Sequence, residues 1–314
     1  MNTIVFGGSG FLGSHVADAL TDAGHEVTIF DRRPSPHLRA NQRMIVGDIL
    51  DRDLVAESLR GMDHAYNFAG VADLDDASTQ PLQTIAQNIM GNATILEGAR
   101  LAGIKRFLYA STIYVHSEKG GFYRCSKQAA ELYVEQYQRD YGLDYTVLRY
   151  GTIYGPRSDE RNSIHRYLKQ ALTGNRILAM GTGEERRNYI HVRDAARLSV
   201  KALEERFANC PLTLVGHQTM RFTDLFLMIR EIMGDKGLTF DLSGSSNGAH
   251  YTMTPYSYKP SSGFNLTSDV NIDFGQGLIE CLAAIEAGEN AGAADEPAAC
   301  GCRPPCGPDR EGCK

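Results

Sequence analysis

A tyrosine and a lysine stand four residues apart in the segment FYRCSKQAAELY: Tyr123 and Lys127. The segment carries a helical pattern, and on a helix residues i and i+4 share one face. An ammonium beside a phenol favours the phenolate and lowers the tyrosine pKa. Just upstream, YASTIYV ends an apolar run with two hydroxyls, Ser111 and Thr112. A hydroxyl there can hydrogen-bond a reacting oxygen. Phenol, ammonium and hydroxyl together are the equipment for taking the proton of an alcohol while a nearby ring accepts the hydride. Tyr-x-x-x-Lys is frequent by chance, and a surface pair on a helix is the bland alternative.

The start of the chain offers a place for the hydride acceptor. GGSGFLG sets Gly7, Gly10 and Gly13 between a strand-like run, TIVFGG, and a helical one, FLGSHVADALTDAG. In such a turn the first glycine bends the chain, the second lets backbone approach a pyrophosphate, and the third lets helix and strand pack closely. The phosphates then lie on the helix N-terminus. The spacing is one residue longer at the front than the usual dinucleotide fingerprint. Asp31 ends the next run, EVTIFD, where a carboxylate binds the adenosine ribose hydroxyls and repels a 2′-phosphate, which favours NAD over NADP. Arg32 and Arg33 argue the other way, since arginine can hold that phosphate; their plain alternative is a solvated loop. Asp48 in VGDI and Asn67, Ala69 and Gly70 in NFAG follow the third and fourth strands. Open α/β sheets bind ligands at that edge, although strand-end turn chemistry would account for each residue singly.

These residues need elements to hold them. RMIVGDI, HAYNFAG, RFLYAS and YTVLRYG read as further strands, with helices near 51–60, over roughly 82–102 and from Tyr123. Near-continuous apolar strands alternating with helices imply a parallel sheet covered on both faces. The fold class is therefore α/β: a Rossmann-type doubly wound sheet over residues 1–155, with a smaller C-terminal substrate lobe. After GTIYGPR the rhythm breaks. Helical stretches at 163–173, 194–206 and 222–233 mix with short strands and a loop-rich segment, SGSSNGAHYTMTPYSYKPSSG. Residues 156–188 and 216–286 are assigned to the lobe, with 189–215 returning to the main sheet. From Ala287 the chain turns rich in Ala, Gly and Pro, and 287–314 is expected to be a disordered tail.

Bulk properties narrow the class. A chain of 314 residues suits one large domain or two unequal ones. A net charge of −6 gives no basic footprint for nucleic acid, and no apolar run is long enough to span a bilayer. The start goes straight into a strand-like run with no leader pattern, so a cytoplasmic location is expected. Of seven cysteines, Cys125, Cys210 and Cys281 read as packing residues. Cys300, Cys302, Cys306 and Cys313 crowd the tail and could supply four thiolates to zinc. Their spacing matches no familiar zinc module and their Gly/Pro context gives no scaffold, so no metal is expected.

Taken together the chain resembles the extended short-chain dehydrogenase/reductases, in the NAD-dependent nucleotide-sugar epimerase/dehydratase branch, and is similar to UDP-glucose 4-epimerases. The resemblance runs from residue 1 to about 285. It rests on GGSGFLG, Asp31, GDI, NFAG, Asn88 in NIMGN, YASTIYV, YRCSK, LRYGTIYGPR and GEERRNYIHVRDAA. It implies that Tyr123 is the catalytic base, Lys127 its partner and a cofactor ligand, and Thr112 the hydroxyl that polarises substrate. The implied NAD site comprises Gly7, Gly10, Phe11, Leu12, Gly13, Asp31, Arg32, Asp48, Ile49, Phe68, Ala69, Gly70, Asn88, Ser111, Tyr123, Lys127, Tyr150, Gly151 and Ile153. Thr112, Tyr123, Thr152 and Arg187 would touch a nucleotide-sugar substrate, Arg187 at its diphosphate, and His191 would sit at the lobe junction. A homodimer through the helices at 82–102 and 123–141 is likewise implied. The implied activity is epimerisation by transient oxidation, at C4 of the sugar. Three departures stand out. Thr152 replaces a common Asn, and a late Arg-x-Gly-Asp segment is absent. Ile113 and Tyr114 follow Thr112 where dehydratases carry Asp-Glu and decarboxylases keep an acid. Two other readings remain: a dehydrogenase or reductase of another small carbonyl or hydroxyl substrate, and a non-catalytic NAD sensor, which would have no reason to keep Tyr123 with Lys127.

Overall fold

Ile4, Val5 and Phe6 are fully buried, as three successive residues of a strand covered on both faces must be. A computed structural model describes residues 1–217, 219–234, 237–243, 250–255 and 263–294 of the chain. The first part runs β1 (Asn2–Phe6), α1 (Phe11–Asp22), β2 (Glu26–Asp31), β3 (Gln42–Val46), α2 (Arg52–Ser58), β4 (His64–Asn67), α3 (Leu74–Thr79) and α4 (Pro81–Ile85). A π-helical turn, Ala86–Met90, carries α4 into α5 (Gly91–Ala102). Then come β5 (Arg106–Thr112), a 3₁₀ turn over Ile113–His116, α6 (Gly121–Tyr141), β6 (Tyr145–Tyr150) and β7 (Thr152–Tyr154). The second part holds α7 (Ser163–Gly174), β8 (Arg176–Ala179), β9 (Arg186–His191), α8 (Val192–Lys201), β10 (Cys210–Leu214), β11 (Thr219–Arg221), α9 (Phe222–Ile232), β12 (Thr239–Leu242), β13 (Phe264–Leu266) and α10 (Phe274–Ala294).

Eight strands form the main sheet in the order β13-β10-β6-β5-β4-β1-β2-β3, and every neighbouring pair is parallel. The winding reverses between β1 and β4, which opens a crevice at the carboxyl ends of those strands. One face is covered by α1 and α8, whose Val16, Leu20, Ala195 and Leu198 pack with Val5, Ile29 and Leu148. The other is covered by α2, α5 and α6 through Val55, Ile95, Leu96, Ala130 and Val134. A separate core of Ile164, Leu168, Leu225, Phe226 and Leu278 holds the lobe helices α7, α9 and α10 together. No helix among the described residues is long and apolar enough to cross a membrane.

The expected division of the chain needs three adjustments. The return to the main sheet holds for β10, which pairs with β6, and for α8, but β13 also joins that sheet from within the segment assigned to the lobe. Conversely, β7 leaves the first domain and pairs with β9 in a three-stranded sheet. These are strands of three residues, too short to leave a sequence period. Finally, α10 continues to Ala294, past the tail boundary placed at 287; Ala291, Ala293 and Ala294 are good helix formers, and composition alone hid the continuation. The four tail cysteines lie outside the described residues.

Candidate active site

The glycine turn closes against β4 as the motif requires. Gly7 has φ +78°, and a Cβ there would come within 2.6 Å of Ala69 N; a Cβ on Gly13 would collide with Gly7 O. Only bare glycine lets strand, helix and the NFAG loop meet this closely. α1 starts at Phe11 and Leu12, and its N-cap, Gly10, supplies no side-chain cap, so the first-turn amides are placed for an anion. Asp31 accepts from Ser9 N at 3.1 Å and from Arg33 N at 3.2 Å. Its carboxylate is thereby fixed at the edge of the glycine turn, while Arg32 and Arg33 are exposed. Asp48 caps the turn into α2 through Leu50 N, and Asn67 holds Ala69 N at 3.0 Å. These donors and bare backbone fit a dinucleotide: amides for its pyrophosphate, a carboxylate for its ribose.

Across the crevice, α6 and the end of β5 bring the reactive residues together. Thr112 ends β5, where its Oγ1 accepts from Tyr114 N at 3.3 Å, and it is the neighbour that favours the Tyr123 phenolate. Lys127 Nζ is buried, donates to Ala110 O at 2.9 Å and lies 5.9 Å from the Tyr123 ring centre. Burial pushes Tyr123 up to about 12 and Lys127 down to about 8. This corrects the expectation that the lysine lowers the tyrosine. Desolvation dominates both groups, and Thr112 is the neighbour that favours the Tyr123 phenolate. Glu131, one turn beyond Lys127, favours the ammonium.

Glu131, Arg149 and Asn92, which support this arrangement, escaped the sequence reading, and Ser111 and Asn88 act through hydrogen-bonded partners. Ser111 Oγ donates to Glu131 Oε1 at 2.5 Å, and Arg149 grips the same carboxylate at 3.0 and 2.6 Å. The pair is buried, so Ser111 faces a fixed acceptor rather than the crevice. The signal was present: Glu131 is i+4 from Lys127, and Arg149 interrupts an otherwise apolar strand. Asn88 sits on the π turn. Its Oδ1 accepts from Val71 N at 2.7 Å and its Nδ2 donates to Val71 O and Ser126 Oγ at 2.9 and 2.8 Å. It braces the loop at Gly70 beside Gly7. Asn92 does the same for Asn67 at 2.9 Å.

Other expected residues are placed differently. The Tyr150 side chain is core: its hydroxyl meets Ser199 Oγ at 2.6 Å, leaving only backbone for a nicotinamide contact. Gly151 N donates to Leu214 O and Ile153 packs on the core, both at the crevice edge. Ile49 is interior, and Phe68 stacks on Tyr66 at 6.0 Å. Thr152 is half-buried on β7. Arg187 is buried with its guanidinium 4.3 Å from the Tyr251 ring and 5.2 Å from that of Phe222. Two aromatic rings therefore flank the arginine expected to face the substrate diphosphate. His191 caps α8 through Arg193 N and lines a cavity with Asp194, His217 and Phe274 at the lobe junction.

Residues 3–211 match the model of the NAD dependent epimerase/dehydratase family. The chain belongs to that family. Its NAD-dependent chemistry accounts for the glycine turn and Asp31, and NAD is the cofactor. Among relatives, the UDP-N-acetyl-alpha-D-glucosaminuronate decarboxylase of Bacillus cytotoxicus is 29% identical over 230 residues, 65% of this chain and 71% of its own. The putative UDP-glucose 4-epimerase of Methanocaldococcus jannaschii is 26% identical over 255 residues, 74% of this chain and 83% of its own. The crystal structure of UDP-glucose 4-epimerase with UDP-glucose from Thermotoga maritima superposes with TM-score 0.79 at 26% identity, covering 92% of this chain and 100% of that one. Family members thus share this sheet and crevice but differ in the outcome of their reactions.

Proposed function

We propose that this chain is an NAD-dependent epimerase of a nucleotide-activated sugar. Bound NAD would supply the hydride acceptor for the sugar's carbinol carbon and the donor for its return to the opposite face, so there would be no net redox change. Tyr123 accepts the proton of the sugar hydroxyl and gives it back. It does so as the phenolate, which Lys127 favours by its positive charge, and it is the neutral phenol while the keto intermediate exists; Thr112 holds the same oxygen. Gly7, Gly10 and Gly13 and the start of α1 receive the pyrophosphate of NAD, and Asp31 its adenosine ribose.

The observation that carries epimerisation over dehydration or decarboxylation is the pair of residues after Thr112. Ile113 is buried in an apolar cluster and Tyr114 is a phenol bonded to His250, so neither offers a carboxyl group to protonate a leaving hydroxyl. Glu131 is held by Arg149 and Ser111 behind the strand. The test is a panel of nucleotide sugars, including UDP-glucose, with products identified by NMR. An epimer of unchanged mass is expected; loss of water or carbon dioxide would overturn the assignment.

A further inference from the structure

The 3₁₀ turn after Thr112 meets the lobe at one well-defined point. Tyr114 Oη lies 2.7 Å from His250 Nδ1. The Tyr114 ring stands edge-on to Tyr123, with centres 6.3 Å apart at 77°, and packs against Tyr251 at 4.8 Å. Tyr251 is itself buried with Ile113 and Val215, and its ring covers the Arg187 guanidinium at 4.3 Å. Tyr114 is therefore packed against both Tyr123 and Tyr251 and is hydrogen-bonded to His250.

This contact is neutral. Burial raises Tyr114 far above the ordinary phenol value, Tyr251 and Tyr123 adding to the shift and Arg187 opposing it. His250 is exposed and Tyr114 half-buried; the imidazole is nevertheless lowered by desolvation, with Arg187 and Arg166 reinforcing this and Asp75 and Asp73 opposing it. The cation acting on both partners, Arg187, lies behind the Tyr251 ring. A phenol and an imidazole can exchange hydrogen bonds with a hydroxyl. They have no charge with which to pair a carboxylate, and a carboxylate that loses part of its water without a partner is disfavoured.

We propose that Tyr114, held in place by His250, is a positioning and specificity residue that admits sugars bearing an uncharged hydroxyl substituent and rejects hexuronates. The proposal rests on the nucleotide-sugar reading above. It assigns a role to the chain's own late segment, which stands where the family resemblance led us to expect Arg-x-Gly-Asp. Rejection arises because a site built around neutral hydrogen-bonding groups discriminates strongly against a ligand that leaves them mismatched.

The experiment measures kcat and KM for UDP-glucose and UDP-glucuronic acid with NAD-loaded protein. The wild type is compared with Tyr114→Phe, His250→Ala and His250→Asn. The wild type should prefer UDP-glucose. Tyr114→Phe and His250→Ala should raise the KM for UDP-glucose about three- to tenfold, the scale of one lost neutral hydrogen bond, with NAD content unchanged and kcat moved less. His250→Asn keeps a polar group near the Nδ1 position and should recover most of the loss, which a general packing defect would not. A wild type that prefers UDP-glucuronic acid, or variants with unchanged KM on an active wild type, overturns this proposal and leaves the epimerase reading standing. A wild type that neither binds nor converts any nucleotide sugar overturns both.

Discussion

Asn88 Nδ2 and Ser126 Oγ are 2.8 Å apart, and this contact joins the two sides of the crevice. Ser126 Oγ donates in turn to Tyr123 O at 2.8 Å, while Asn88 holds both polar groups of Val71, next to Gly70. The glycine turn, the NFAG loop and the first turn of α6 are thus one connected unit. The π turn makes it possible, because one extra residue re-aims the Asn88 side chain between α4 and α5. Asn88→Ala leaves Val71 N and O without this partner. The expected result is a loss of about 1–3 kcal/mol in stability and weaker NAD retention, read by thermal melting and by cofactor content after gel filtration. A variant with unchanged melting and full NAD content would refute the brace.

The chemistry is tested by small changes at the reacting groups. Tyr123→Phe keeps the ring, which packs edge-on with Tyr114, and removes the hydroxyl. Turnover should fall by roughly two to four orders of magnitude, the scale of a lost general base, with stability and NAD content near wild type. Thr112→Val should also slow turnover and leave cofactor content intact, since the Thr112 hydroxyl is the neighbour that favours the Tyr123 phenolate. Single-turnover rates beside cofactor content decide the matter. Wild-type rates in Tyr123→Phe would place the proton transfer elsewhere.

Cofactor preference is tested at Asp31, whose carboxylate is fixed by Ser9 N and Arg33 N. Asp31→Ser removes the charge that repels a 2′-phosphate and leaves Arg32 and Arg33 beside it. The ratio of NAD to NADP affinity should fall by about tenfold or more, since charge juxtapositions of this kind are worth 1 kcal/mol and upwards in a partly buried site. Calorimetric titration of both cofactors reads it. Tighter binding of NADP by the unmodified chain would mean that the arginines dominate.

Most of the sheet was legible because β1, β2, β4 and β6 are largely apolar runs closed by Gly, Asp or Asn, and β5 is one closed by Ser111 and Thr112. Tyr123 and Lys127 were legible as a spacing, and the structure puts both on the crevice face of α6. The order of effects on their proton affinities was not. It depends on how deeply α6 and β5 bury them, and no short motif encodes burial. The rings around Arg187 were hidden for a related reason: Phe222 and Tyr251 are 35 and 64 residues away in sequence. The Glu131–Arg149 pair leaves two faint marks, a charge on an inner helix face and a charge in an apolar strand, which become informative only when read together.

Assembly follows from the outer face of the two helical runs that flank this site. Tyr137 on α6 donates to Glu97 on α5, and Arg100 lies over Tyr141, so the two helices are neighbours. Leu82 and Leu101 on one run, and Leu132 and Tyr133 on the other, are at least half exposed. Apolar residues exposed on adjacent helices fit a self-complementary two-fold contact, and we propose a homodimer through this face. Leu101→Glu with Leu132→Glu should give a monomer by light scattering with unchanged circular dichroism. A wild type of monomeric mass at micromolar concentration would count against the dimer.

Lys127 sets the last expectation, in which stability and activity part company. Burial holds its pKa at about 8, against 10.5 for a free lysine. Below pH 8 both the folded and unfolded chains carry the proton, and the folded state bears the whole cost of a buried ammonium. Between about pH 8 and 10.5 the unfolded chain keeps a proton that the folded one has released. This group's contribution to stability therefore rises with pH through that window. Lys127→Met fills similar space without the charge. At 1.36 kcal/mol per unit, removing the penalty is worth on the order of 3 kcal/mol at most. The lost bond to Ala110 O returns about 1 kcal/mol of that. The variant should therefore match or exceed the wild-type melting temperature at pH 7, and its margin should shrink towards pH 10. Turnover and NAD affinity should both drop, because the retained charge is what the site uses. Paired melts at pH 7 and pH 9.5, with NAD retention measured on the same samples, read both effects. A margin that grows with pH would show that Lys127 is stabilised in the folded state, contrary to its burial.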